Sequence, residues 1–149
     1  TTFFHPLDVV DGWNRAYGRR GFVQYQLAVA DASVIEAVLA LLRRERVVQF
    51  LPVLKRFGDG IGAPLSFPRP GWTLAVDVPA TPEVAAALDR ADELVVAAGG
   101  RCYLAKDGRV RPALVPTMYP DLPRWQQLRA ELDPDGVFVS DLSRRLSLC

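Results

Sequence analysis

Cysteine, histidine, excess charge and long apolar runs are all scarce in this chain. Its 149 residues include two cysteines, Cys102 and Cys149, and one histidine, His5. No Cys-x-x-Cys spacing occurs, so neither a disulfide framework nor a zinc site is expected. Catalytic and metal-binding histidines need partners, and His5 has no second histidine to share a metal; it reads as a structural or surface residue. The formal net charge is +1. That excludes the strong basic excess of a protein held to nucleic acid or to an anionic membrane by bulk charge, and no nucleic-acid partner is expected. No apolar run approaches the ~20 residues that cross a bilayer. No signal peptide is visible, and a start at Thr-Thr rather than Met reads as a chain trimmed or cut from something longer.

What remains is a globular domain. Half of the residues are hydrophobic, and a chain of this length buries roughly two thirds of its unfolded surface without covalent staples. The Ala-, Arg- and Pro-rich usage is that of a GC-rich bacterial genome.

Thr1–Pro6 reads as an extended lead-in and Asp8–Tyr17 as a short helix, with Val9, Val10, Trp13 and Tyr17 on one face. Phe22–Val29 alternates as a strand, Val23, Tyr25, Leu27 and Val29 opposing Phe22, Gln24, Gln26 and Ala28. A helix follows, with Ser33 and Glu36 at capping-box spacing, Asp31 as a competing cap, and an apolar stripe from Val34 to Leu42. Val47–Phe57 is a second strand. Gln49, Leu51, Val53 and Lys55 share one face, Val48, Phe50, Pro52 and Leu54 the other, and Pro52 marks an edge or a bulge. The Gly/Pro-rich stretch 58–71 contains Gly58-Asp59-Gly60-Ile61-Gly62. It lacks a following helix and a Lys-Ser/Thr pair, so it reads as a flexible loop rather than a phosphate cradle. Trp72–Val78 is a third strand. Thr81-Pro82-Glu83 starts a helix that ends at Gly99-Gly100, and Cys102–Leu104 is a short extended piece. Short helices are expected over Pro112–Met118 and Leu122–Leu132, then an extended or helical tail over Val137–Leu146.

Strand, helix, strand, strand, helix, strand is the ferredoxin-like split pattern. The expected fold is α+β, an antiparallel sheet with two helices on one face and short C-terminal helices beyond it. The helices cover one face and leave the other for solvent, a partner domain or a ligand. That second face carries Gln24, Gln26, Lys55, Thr73, Ala75 and Asp77. Two readings stay open: a solvated sheet face, or a ligand floor in which a few hydrogen-bonding groups sit among small residues. Lys106-Asp107-Gly108 is ordinary turn chemistry, yet a lysine where a strand gives way to a turn can also be aimed at a ligand.

The order of segments resembles one family. Phe4-His5-Pro6-Leu7-Asp8, Trp13-Asn14-Arg15, Gln24-Tyr25-Gln26, Val53-Leu54-Lys55-Arg56-Phe57-Gly58 and Pro64-Leu65-Ser66-Phe67-Pro68-Arg69-Pro70-Gly71-Trp72 carry the resemblance. So do Tyr103-Leu104-Ala105-Lys106-Asp107, Met118-Tyr119-Pro120 and Asp141-Leu142-Ser143-Arg144-Arg145. Together they resemble the C-terminal region of the decaprenylphosphoryl-ribose oxidases. These are FAD-linked oxidases of the vanillyl-alcohol-oxidase type, whose C-terminal regions are related to sugar-lactone oxidases.

The resemblance implies that residues 1–149 are the substrate-binding domain of an FAD-dependent oxidoreductase that oxidises a sugar CH–OH group by hydride transfer to flavin. The FAD-binding domain is absent from these residues, in the same full-length chain or separate, so this piece alone is expected to be inactive. By the same resemblance Lys106 is catalytic and touches the flavin. Gln24, Gln26, Lys55, Thr73 and Ala75 line the substrate pocket, and Tyr103 either packs on the flavin ring or belongs to the core. Ala75 stands where mycobacterial members have cysteine, so a covalent inhibitor that needs that thiol should fail. Thr73 stands in place of an asparagine, and His5 in place of an aromatic residue. The implied partners are a sugar or polyprenyl-phosphate-sugar substrate and a reductase, with the enzyme cytoplasmic or peripheral at the membrane surface. The alternative is a stand-alone, non-enzymatic ferredoxin-like module that binds a small ligand or dimerises.

Overall fold

The computed structural model describes residues 11, 12, 15 and 17–148. The expected lead-in with His5, most of the expected helix over Asp8–Tyr17, and Cys149 lie outside the described residues. The elements run β1 (Phe22–Val29), α1 (Ala32–Arg44), β2 (Phe50–Phe57), β3 (Gly71–Pro79), α2 (Pro82–Ala97) and β4 (Arg101–Cys102). After these come α3 (Val115–Met118), α4 (Leu122–Leu132) and α5 (Asp141–Arg145). The strands form one sheet in the order β2-β3-β1-β4, every neighbouring pair antiparallel. This is the ferredoxin-like arrangement, with β2 at one edge and the two-residue β4 at the other.

Alternation places the core where the sequence puts it. Tyr25, Leu27 and Val29 of β1 and Leu74, Val76 and Val78 of β3 meet the apolar sides of α1 (Ile35, Val38, Leu41, Leu42) and α2 (Val84, Leu88, Ala91, Val95). Burying each of the larger aliphatic side chains contributes about 1.5–3 kcal/mol, which is why these two helices lie on one face only.

Local chemistry ends the helices sharply. Asp31, and not the Ser33/Glu36 pair, caps α1. Its side chain accepts from Ser33 N at 2.9 Å, so Ser33 lies inside the helix. An aspartate one residue before the helix reaches the free N–H groups that a residue inside the first turn cannot. At the other end of α2, Gly99 adopts φ +64°, Gly99 N donates to Val96 O and Gly100 N to Val95 O, a Schellman closure. A Cβ on Gly100 would fall 2.7 Å from Val29 Cγ1 and 2.8 Å from Ala28 O, so only glycine lets this turn lie against β1.

Strand β2 departs from the expected alternation. It starts at Phe50 rather than Val47, Leu51 has φ +42°, and the register jumps between Phe50↔Asp77 and Val53↔Ala75. The extra residue is a bulge beside Pro52, on the edge strand, where a missing N–H costs least. Because facing partners share a side, Phe50 joins Val53 and Lys55 instead of opposing them. One inserted residue reverses the side of everything before it.

Candidate functional site

All the pocket-lining residues expected from the sequence lie on the helix-free face of the sheet. Gln24 pairs with Asp77 and Gln26 with Ala75, while Ala75 faces Val53 and Thr73 faces Lys55 on the next strand. Tyr103 continues this surface past β4, its backbone N donating to Gln26 O at 2.9 Å. Adjacent strands lie about 4.8 Å apart, so a four-strand floor spans on the order of 14 Å. Lys55 stands on the edge strand β2, and Lys106 beyond β4 at the opposite side. Both lysine side chains are exposed.

The amides are oriented by their neighbours. Gln24 Nε2 donates to Asp77 Oδ1 at 2.8 Å and Tyr17 Oη to Asp77 Oδ2 at 2.7 Å. A carboxylate only accepts, so this pair turns the Gln24 amide oxygen away from Asp77. Gln26 Nε2 lies 3.1 Å from Thr73 Oγ1. Hydrogen bonding to Asp77, with some burial, holds the Tyr17 phenol above its ordinary value.

The face is less open than its pattern implies. At one end Tyr17 stacks on Phe22, ring centroids 3.9 Å apart, and meets Phe50 edge-on at 5.5 Å. At the other end Phe67 stacks on Tyr103 at 4.5 Å and meets Phe57 edge-on at 5.8 Å. Phe67 thus bridges the floor from the β4 side towards β2. The loop that carries it is tied down, since Arg101 Nη1 donates to Ser66 O at 2.7 Å and Arg69 to Gly99 O. The flexible-loop expectation fails for this half of the 58–71 stretch. Thr73, Ala75, Asp77 and Ala28, all on the helix-free side, are buried. What lies between the two aromatic ends is Gln24, Gln26, Ala75, Val53 and Lys55.

Lys106 is the last residue of a single 3-10 turn, Leu104–Lys106; Leu104 is therefore part of that turn and not of an extended segment. β4 pairs with Leu27 and Ala28 only. The rest of the β1 edge is met by the turn that follows, and a cavity of about 20 Å³ there is bordered by Gln24, Gln26, Lys106 and Arg109 and also by Tyr25, Leu88 and Cys102 of the helix side. Gln24, Gln26 and Lys106 are therefore neighbours along the β1 edge.

Sequence reasoning missed what holds this turn. Arg109 clamps Asp92 of α2 with two bonds of 2.8 Å, reaches Asp89 at 2.7 Å, and lies over the Tyr25 ring. Asp92 is fully buried and also accepts from Tyr25 Oη at 3.0 Å and Cys102 Sγ at 3.2 Å. Tyr119 Oη donates to Cys102 O at 2.6 Å, bracing β4. An acid at the centre of an otherwise apolar helix face was the one available signal for Asp92. Nothing local marked Phe67, Tyr119 or Arg109.

Cys102 cannot stand in for the thiol missing at position 75. It faces the helices, opposite Leu27, whereas Ala75 faces the other side. Burial first, and then the Asp92 carboxylate, push its thiol well above the ordinary value, which removes the reactive thiolate. Iodoacetamide at mildly alkaline pH should leave Cys102 unmodified in the folded protein and alkylate it after denaturation, as read by peptide mass; modification before unfolding would contradict this burial.

Among the described residues no cluster of potential metal ligands occurs, and no helix is long and apolar enough to cross a membrane.

Comparison with known proteins shows the family. The family profile described as D-arabinono-1,4-lactone oxidase matches residues 29–146. A protein of Mycolicibacterium smegmatis named decaprenylphosphoryl-beta-D-ribose oxidase is 45% identical over 150 residues, 99% of this chain and 33% of its own length. A Streptomyces coelicolor protein, described as an uncharacterized protein in the mprA 5′ region, is 45% identical over 146 residues, 95% of this chain and 40% of its own. The chain thus spans between a third and two fifths of these relatives.

Proposed function

The chain belongs to the D-arabinono-1,4-lactone oxidase family, and from that premise we propose that it is the substrate-binding part of an FAD-dependent oxidase of a sugar derivative. The observation that carries this reading is that Gln24, Gln26, Ala75 and Lys55 share the helix-free face, with the Lys106 turn lying against the β1 edge beside both glutamines. The family, described as a D-arabinono-1,4-lactone oxidase, and the relative named as a decaprenylphosphoryl-beta-D-ribose oxidase support the substrate class.

The residues present fit one side of a flavin and not the whole cofactor. A cation, two oriented amides and the Tyr103 ring border the floor and suit a planar polar ring with a sugar beside it. The Gly58–Gly62 stretch leads into further loop and not into a helix, so it does not make a pyrophosphate cradle. On this reading the pyrophosphate and adenosine are held by a further domain.

A bound flavin would supply the hydride acceptor for the substrate carbon. Lys106 supplies fixed positive charge where negative charge develops on the ring, and in a water-excluded site such a contact is worth more than in solution. The Gln24 oxygen, turned away from Asp77, would accept from a sugar hydroxyl, and the Gln26 amide beside Thr73 would hydrogen-bond another. Lys55, at the far edge, meets a phosphate or an outer hydroxyl. Ala75, itself buried, adds little side-chain bulk at the centre of the floor. These groups orient the reacting carbon, the contribution that converts binding into rate.

The test uses the complete protein. It should carry the yellow absorbance of oxidised flavin, and anaerobic addition of a sugar-derived substrate should bleach it. Gln24→Ala and Gln26→Ala should raise KM more than they lower kcat. A complete protein without flavin would remove the proposal. It would favour a stand-alone binding or dimerisation module, for which the exposed Leu51, Val53 and Leu54 on the edge strand β2 are the supporting feature.

A further inference from the structure

We infer that Arg145, far from the floor in sequence and on the last helix, is a positioning residue that aims Lys106. This rests on the reading of Lys106 given above. A lysine side chain is long and flexible, so its aim depends on how firmly its backbone is held. Here the backbone is one 3-10 turn of three residues, too short to be stable by itself.

The exit from that turn is set by Asp107, whose Oδ1 accepts from Arg109 N at 2.9 Å and Val110 N at 2.8 Å. The Asp107 side chain is only 4% exposed, and a carboxylate removed from water needs a cation. Arg145 supplies it, with Nη2 at 2.6 Å from Asp107 Oδ2. Its second nitrogen donates to the Val110 carbonyl at 3.1 Å. One guanidinium therefore grips the turn by the side chain at its start and the carbonyl at its end. An ammonium makes no such fork.

Helix α5 is itself anchored. Ser140 and Ser143 form a reciprocal capping box, and Leu146 and Leu148 just beyond it are buried. The grip thus ties the Lys106 turn to a fixed body other than the sheet. Arg109 holds the same turn to α2 from the other side.

The experiment titrates the complete flavoprotein with sulfite, which adds through its lone pair to flavin N5 and leaves the negative charge on the ring. A cation beside the ring favours the adduct, so sulfite affinity reads the lysine's placement without turnover. Lys106→Ala should weaken sulfite binding on the order of 10²-fold, and Arg145→Met on the order of tenfold. The double variant should bind no more weakly than Lys106→Ala alone, because Arg145 acts through Lys106. Parental affinity in Arg145→Met, or losses that add in the double variant, would overturn the inference. Should Arg145→Met fail to accumulate with flavin, Arg145→Lys carries the test. It keeps a charge beside Asp107 but loses the bond to Val110, and parental affinity there would equally overturn the inference. Unchanged affinity in Lys106→Ala would instead remove the proposed role of Lys106 itself.

Discussion

Lys106→Ala in the complete protein should lower the rate of flavin reduction by substrate on the order of 10²- to 10³-fold, the usual loss when a pre-aimed charge is taken from a dry site. On the proposed reading the charge that Lys106 balances develops as a hydride arrives, so kcat and kcat/KM should fall together while KM changes little. The fold should be unaffected, because the Lys106 side chain is exposed and the turn is held by Asp107, Arg109 and Arg145 and not by the lysine. Stopped-flow flavin bleaching under anaerobic conditions, with a thermal melt in parallel, separates the two effects. Lys106→Arg should recover part of the rate, since it keeps the charge but places it on a longer, planar group. A Lys106→Ala protein that reduces its flavin at the parental rate would return the residue to the class of solvated turn lysines.

The largest stability loss is expected at Asp92. It is fully buried and gathers Arg109, Tyr25 and Cys102. Asp92→Ala leaves the Arg109 guanidinium in a largely buried position with the half-exposed Asp89 as its remaining carboxylate. Breaking a buried pair by removing one partner costs about 3–5 kcal/mol, on the order of 10 °C in melting midpoint for a domain this size. Asp89→Ala is the control, and an ion pair with an exposed partner should cost about 1 kcal/mol or less. Denaturant melts of the three proteins would show it, and equal losses at positions 89 and 92 would mean that the pair with Asp92 carries no special weight. The same substitution should loosen the Lys106 turn, so the complete protein should lose rate as well as stability.

The contrast between these two residues shows how much was legible beforehand. Period-two alternation put Gln24, Gln26, Thr73, Ala75 and Lys55 on one face because side-chain direction in a strand depends on the strand alone. The same rule failed at Phe50, because a bulge inserted one residue and changed the count. Lys106 was visible as a lysine at a strand end, while the reason it is held there was not. Asp107 is adjacent in sequence, but Arg145 reaches it across a separation of 38 residues and Arg109 reaches Asp92 across 17. Phe67 lies in a stretch whose composition spoke only of a loop, and its roof over the floor exists because Tyr103 and Phe57 come together around it.

The sequence by itself determined the order of elements and the sheet face that carries the polar residues. These follow from backbone sterics, alternation and composition, which act over a few residues at a time. The tertiary structure decided which of those polar residues meet, how far the face stays open, and which side chains hold the turn that carries the lysine. Those outcomes depend on ion pairs and ring contacts between segments that only the packed sheet and helices bring within bonding distance.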